Sequence, residues 1–160
     1  MGYQIKKKSK FGLTLSKVNL ASALDISKPY AILLPFSSRK DKSWSFRGWI
    51  STGNLLNTLG LRCVLLVGNE SDYSTANQLV GKIQDSIVYP ISPLDIVSSV
   101  LLDATLVLGV DTGLTHLAAA LKRPTIGIFL ASLLFGALYQ GGTELDFEFS
   151  SITREMVLLI

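Results

Sequence analysis

Leu106-Val107-Leu108-Gly109-Val110-Asp111-Thr112-Gly113-Leu114-Thr115-His116-Leu117-Ala118-Ala119-Ala120-Leu121 changes character at Asp111. Up to Val110 it is a continuous apolar run, short enough for a buried strand. Past Gly113 it is an Ala/Leu stretch that reads as a helix. A strand that ends in a tight turn and feeds a helix leaves unpaired backbone N–H groups at the helix start, where an anion is stabilised. The chain's single histidine, His116, falls in the first turn of that helix.

The same alternation extends outward in both directions. Residues 31–36 form an apolar run ahead of a polar loop at 37–43, and a helix is expected over 46–59. Its apolar positions Phe46, Trp49, Ile50 and Leu56 lie near helical spacing, and Gly60 is placed to end it. A second strand is expected over 62–67, followed by Gly68 and a polar turn at 69–72, then a helix to about residue 83. Ile87-Val88-Tyr89 reads as a third strand. Ser92-Pro93-Leu94-Asp95 reads as a helix start, with Ser92 as N-cap, Pro93 in the first position and an acid in the third. Strands at 105–110 and 125–129 complete the pattern. The strands are solidly apolar, which predicts burial on both faces and a parallel sheet wrapped by helices, an α/β Rossmann-like fold. Such sheets bind ligands at the carboxyl ends of their strands. The loops 37–43, 68–72 and 111–113 share that end.

The 160-residue length suits one domain. Residues 1–28 have little periodic pattern apart from a short helix expected over 18–26. They are expected to be a tail or the remnant of an interdomain segment, with the domain at 29–160. Hydrophobic residues at 48% and charged residues at 17% exclude a disordered chain. The net charge of +3 is too mild to argue for nucleic acid, and no aromatic-basic interleaving accompanies it. The single Cys63 allows no internal disulfide, and no Cys/His spacing suggests a metal. The uncharged stretch 124–143 reaches the length of a membrane span, but Pro124, Gly127, Gly136, Gln140, Gly141 and Gly142 weaken it. A strand followed by a helix accounts for it better.

Each candidate residue has a plain structural alternative. Asp111 is either an acceptor for sugar hydroxyls or the cap of the helix behind it. Thr112 and Gly113 offer amides to a diphosphate, or Gly113 merely permits the turn. His116 is a phosphate or hydroxyl partner, or a structural histidine. Lys42 and Arg39 neutralise phosphate or are solvated, and Ser37 and Ser38 reach a phosphate or cap a turn. Trp44 and Trp49 read as core. No Gly-x-Gly-x-x-Gly or Walker A motif occurs. Asp-Thr-Gly also occurs in aspartic proteases, but there the fold is all-β and two copies share a proton.

Together, residues 110–121 with Arg123-Pro124-Thr125 resemble the nucleotide-sugar signature of the ADP-heptose:lipopolysaccharide heptosyltransferases. Tyr30-Ala31-Ile32-Leu33-Leu34 with Ser37-Ser38-Arg39-Lys40-Asp41-Lys42-Ser43-Trp44 is similar to the Thr-Thr-Arg-Asp-Asp-Lys-x-Trp loop of the heptosyltransferase I branch. The resemblance covers about residues 30–130. It implies the carboxyl-terminal, donor-binding half of a GT-B glycosyltransferase, whose active site lies between two Rossmann-like domains. The implied reaction is inverting transfer of heptose from ADP-heptose to a Kdo-lipid A acceptor in lipopolysaccharide inner-core synthesis, without a cofactor or metal. Asp111 would hold heptose hydroxyls, and the amides of Thr112, Gly113 and Leu114 the diphosphate. Ser37, Ser38 and Lys42 would contact phosphate, and His116 would support the same site. Arg39 is a further phosphate candidate, and Glu70 or Asp72 would take the ribose hydroxyls. Leu130-Ala131-Ser132 replaces the family's Gly-Pro-Thr-like turn, leaving only the Ser132 hydroxyl. The catalytic base is expected in an amino-terminal domain, so none is assigned here. A separate chain carrying that half is the implied partner, and the implied location is cytoplasmic, peripheral to the inner membrane. The alternatives are a non-catalytic nucleotide-sugar-binding module and a truncated, inactive remnant.

Overall fold

The computed structural model describes residues 28–37 and 44–128. Five parallel strands form one sheet: β1 (Tyr30–Leu34), β2 (Arg62–Leu65), β3 (Ser86–Val88), β4 (Leu106–Val110) and β5 (Thr125–Ile128). Four helices connect them: α1 (Phe46–Thr58), α2 (Glu70–Val80), α3 (Leu94–Asp103) and α4 (Gly113–Ala120). The strand order is β3-β2-β1-β4-β5, so the chain winds outward from β1, returns, and continues from β4 on the other side.

The apolar runs explain this arrangement. Every residue of β1, β4 and β5 is buried. Successive strand side chains point to opposite faces, so an unbroken apolar strand needs cover on both. Ala31 and Leu33 pack with Trp49 and Leu56 of α1 and Ala76 and Leu79 of α2. Tyr30, Ile32 and Leu34 pack with Val97, Val100 and Leu101 of α3 and Ala118 of α4. The result is helix, sheet and helix in three layers. Trp44 and Trp49 belong to the first core, edge to face with centroids 5.2 Å apart. Cys63 is fully buried in the same core, and burial pushes its thiol up to about 12. It is a core thiol, as its apolar setting predicts.

Local signals hold in part. Gly60 ends α1 with φ of 79°, its amide on the Asn57 carbonyl and that of Leu61 on Leu56. That is the two-bond closure a left-handed glycine permits. The helix start expected at Ser92 differs. Pro93 is the N-cap of α3 with no side-chain bond, and the Ser92 hydroxyl donates to the Pro90 carbonyl instead. Ser92 lies one residue too early for its oxygen to reach the first-turn amides. The turn expected at 69–72 is also shorter: Asn69 caps α2, so Glu70, Ser71 and Asp72 form its first turn. The strand expected at 125–129 is seen at Thr125–Ile128, inside the stretch weighed as a membrane span. Among the described residues no helix is long and apolar enough to cross a membrane. The tail at 1–27, including the helix expected over 18–26, and the remainder of 124–143 past residue 128 lie outside the described residues.

Candidate functional site

At the centre of the sheet, two neighbouring strands send the chain to opposite faces. β1 and β4 pair in register, Leu34 opposite Gly109. The chain leaves β1 toward α1 on one face and β4 toward α4 on the other. This switch point opens a crevice at the carboxyl ends of the strands, where open α/β sheets bind ligands.

Helix α4 starts at that crevice and is seated firmly. The Thr115 hydroxyl, in its first turn, donates to the Val110 carbonyl at 2.7 Å. This fit needs glycine at 109, where an added Cβ would collide with Thr115 Oγ1 and lie 2.9 Å from the Leu34 Cβ. Thr112 is the N-cap, accepting from the Leu114 amide at 3.2 Å. The cap is therefore Thr112 and not Asp111, and the Leu114 amide is engaged in it. The amides of Thr112 and Gly113 remain at the helix start, with no bond to another described residue. Among the described residues, a Cβ built at Gly113 would meet nothing within 4 Å.

Asp111 carries a different contact. Its Oδ1 accepts from His116 Nε2 at 3.0 Å. Both side chains are accessible, 30% for Asp111 and 58% for His116. From the segment after β1, the Ser37 hydroxyl donates to the Asp111 carbonyl over 3.4 Å. Ser37, Asp111, Thr112, Gly113, Leu114 and His116 are thus brought together at one point, as the sequence motifs predict.

A cavity of about 400 Å³ opens beside them, lined by Leu34, Phe36, Ser37, Leu66, Gly68, Asn69, Ser71, Asp72, Thr112 and Leu114. Its volume falls within the range of small-molecule pockets. Asp72 lines it and Glu70 does not. Asp72 Oδ2 accepts from Asn69 Nδ2 at 2.8 Å, while its amide donates to Asn69 Oδ1. Asn69, Ser71, Phe36 and Leu66 are lining residues that sequence reasoning did not single out. Asn69 and Ser71 lay within the named polar loop. The apolar two carried no signal, since strand-end apolar residues are more often core. Ser38, Arg39, Lys42 and Ser132 lie outside the described residues. Among the described residues no group of His, Cys, Asp and Glu is arranged to hold a metal.

The profile of glycosyltransferase family 9 (heptosyltransferase) matches residues 2–133. The chain belongs to this family. It is 35% identical over 129 residues to lipopolysaccharide heptosyltransferase 1 of Salmonella typhimurium, covering 81% of this chain and 40% of that protein. Lipopolysaccharide heptosyltransferase 1 of Escherichia coli K12 is 37% identical over 100 residues, 62% of this chain and 31% of its own length. The family member thus spans well under half the length of these relatives. The structure of the E. coli heptosyltransferase WaaC with ADP-2-deoxy-2-fluoro heptose superposes with a TM-score of 0.67 at 29% identity, covering 87% of this chain and 45% of that one. E. coli ADP-heptose lps heptosyltransferase II superposes with a TM-score of 0.64 at 16% identity, a likeness of fold.

Proposed function

We propose that residues 29–160 form the donor-binding domain of a heptosyltransferase, taking ADP-heptose in the crevice between β1 and β4. The observation that carries this reading is the convergence of Ser37, Asp111 and the Thr112 and Gly113 amides beside a cavity at the switch point. The WaaC complex with an ADP-heptose analogue supports it.

In this reading the Thr112 and Gly113 amides and the positive end of α4 hold the diphosphate. Ser37, Ser38, Lys42 and Arg39 add donors or charge from the 37–43 loop, and Ser132 is a further candidate. Leu114 contributes its side chain at the cavity wall, its amide being used by the cap. Asp111 accepts from heptose hydroxyls. Asp72, rather than Glu70, is the ribose partner because it lines the cavity.

The proposed chemistry is inverting transfer of heptose to a Kdo-lipid A acceptor. Charge developing on the departing ADP is stabilised by N–H groups and the α4 dipole, which are in place before the reaction begins. No residue of this chain is assigned as the base that activates the acceptor; a partner segment or chain supplies it. A cytoplasmic location at the inner face of the membrane follows from that acceptor.

Calorimetry with ADP and ADP-heptose tests the reading. Binding of both is expected, with Asp111→Ala and Lys42→Ala each weakening ADP-heptose. No heat at millimolar ligand contradicts it. Binding without transfer to a Kdo-bearing acceptor identifies a donor-binding domain rather than a complete enzyme.

A further inference from the structure

The Asp111–His116 contact serves no need of the helix itself. Thr112 supplies the cap, and the His116 amide makes the helix bond to the Thr112 carbonyl at 3.3 Å. The two side chains meet for a geometric reason. Helical side chains lean toward the amino terminus, so a ring one turn into α4 reaches back over the helix start. There Nε2 lies 3.0 Å from Asp111 Oδ1. An ionised carboxylate only accepts, so Nε2 carries the proton and is directed at Asp111. Of the roles the sequence offered His116, a partner for phosphate or hydroxyl or a structural histidine, this N–H is directed at neither phosphate nor hydroxyl but at Asp111.

We infer that His116 is a positioning residue for Asp111: it holds the carboxylate toward the sugar of the nucleotide-sugar donor and does not touch the diphosphate. The inference rests on the donor-site reading above. Asp111 follows directly from β4, whose final residue Val110 is buried, so its backbone is fixed by the sheet. Its side chain is partly exposed, so its orientation is set by side-chain contacts, among them the bond to His116. A carboxylate that turns between rotamers binds sugar hydroxyls poorly, because its ordering then occurs on binding. The imidazole contact orders it beforehand. Because His116 is itself exposed, this contact adds little to folding stability, so its effect belongs to the ligand.

The distinction is testable because ADP and ADP-heptose share the diphosphate and differ in the sugar. Calorimetric Kd values are measured for both ligands with wild type, His116→Ala, His116→Gln, Asp111→Ala and the double variant. Loss of one charge-assisted hydrogen bond corresponds to about a fivefold to tenfold change. His116→Ala is expected to weaken ADP-heptose by that factor and leave ADP within about twofold. His116→Gln, which retains an N–H donor, is expected to recover most of the loss. The double variant is expected to bind no worse than Asp111→Ala, since the histidine acts through the aspartate. Equal weakening of ADP and ADP-heptose by His116→Ala, or additive losses in the double variant, overturns the inference while leaving the donor-site reading intact. Wild-type chain that binds neither ligand overturns both. Unchanged melting temperatures in the variants verify that the readout is binding and not folding.

Discussion

The two ends of the sheet each hold a carboxylate against a basic side chain, and they differ in what surrounds it. At the amino end, Asp85 Oδ1 accepts from Arg62 Nε at 2.8 Å, and Lys28 Nζ stands 3.6 Å from Oδ2. Asn57 closes the cluster. Its amide nitrogen donates to the carbonyls of Leu61 and Asp85, and its oxygen accepts from the Asp85 amide. Every group named there has its partner within the cluster. At the carboxyl end, Asp111 and His116 pair beside the Thr112 and Gly113 amides, which make no bond to another described residue, and beside a cavity. The first arrangement ties α1, β2 and β3 together. The second leaves backbone donors beside a cavity, the place proposed for the donor's diphosphate. Pairing alone therefore says little about function; what lies beside the pair says more.

Substitutions at the two ends test this contrast. The largest effect is expected at Gly109, where an added methyl meets Thr115 and Leu34 inside the core. Gly109→Ala is expected to lower unfolding free energy by about 3 kcal/mol in denaturant titration, through overpacking. Asn57→Ala leaves the Asp85 amide and Leu61 carbonyl without their partner, and about 2 kcal/mol of stability is expected to go, with ADP affinity unchanged. A loss of ADP affinity there would blur the distinction between the ends. Gly113→Ala is expected to do the reverse. Its Cβ meets no atom of the described residues within 4 Å, so stability should hold within about 0.5 kcal/mol. A methyl over the anion site should weaken ADP by about tenfold in calorimetry, or about 1.4 kcal/mol. Unchanged ADP affinity would mean that the diphosphate lies elsewhere.

The smallest effect concerns pH. The hydrogen bond from Arg62 holds the Asp85 carboxyl below its usual value of 3.8. A group with a lowered folded-state value contributes stability above its unfolded value, and that contribution fades as pH falls through the folded one. Because Asp85 is 38% exposed, solvent screening keeps it below about 1 kcal/mol. Arg62→Gln is expected to flatten the acid limb of the stability curve below about pH 4. An acid limb of unchanged steepness would show that the pair contributes nothing.

The fold was legible because its decisive feature is local. The apolar runs at 31–36 and 105–110 are too short for helices and too uniformly apolar for a one-sided sheet. Gly60 was legible for the same reason: a left-handed residue at a helix end favours glycine. The caps were less so. At Asp111-Thr112 and again at Ser92-Pro93, adjacent residues competed to begin a helix, and the choice turned on a shift of one position. For α4 that shift depends on where β4 stops, which is set by its pairing of Val110 with Ile128. That long-range contact is not written in the turn itself. The convergence of Ser37 with Asp111 was legible from topology, since both follow strand ends. The histidine contact was not, because spacing places His116 on the first turn without saying which neighbour its ring faces.

The most direct test follows backbone amides by NMR while ADP is added to the chain. The account predicts that the Thr112 and Gly113 resonances shift progressively and saturate, while those of Asn57 and Asp85 stay fixed. Shifts confined to Asn57 and Asp85, or none at Thr112 and Gly113 at millimolar ADP, would contradict it.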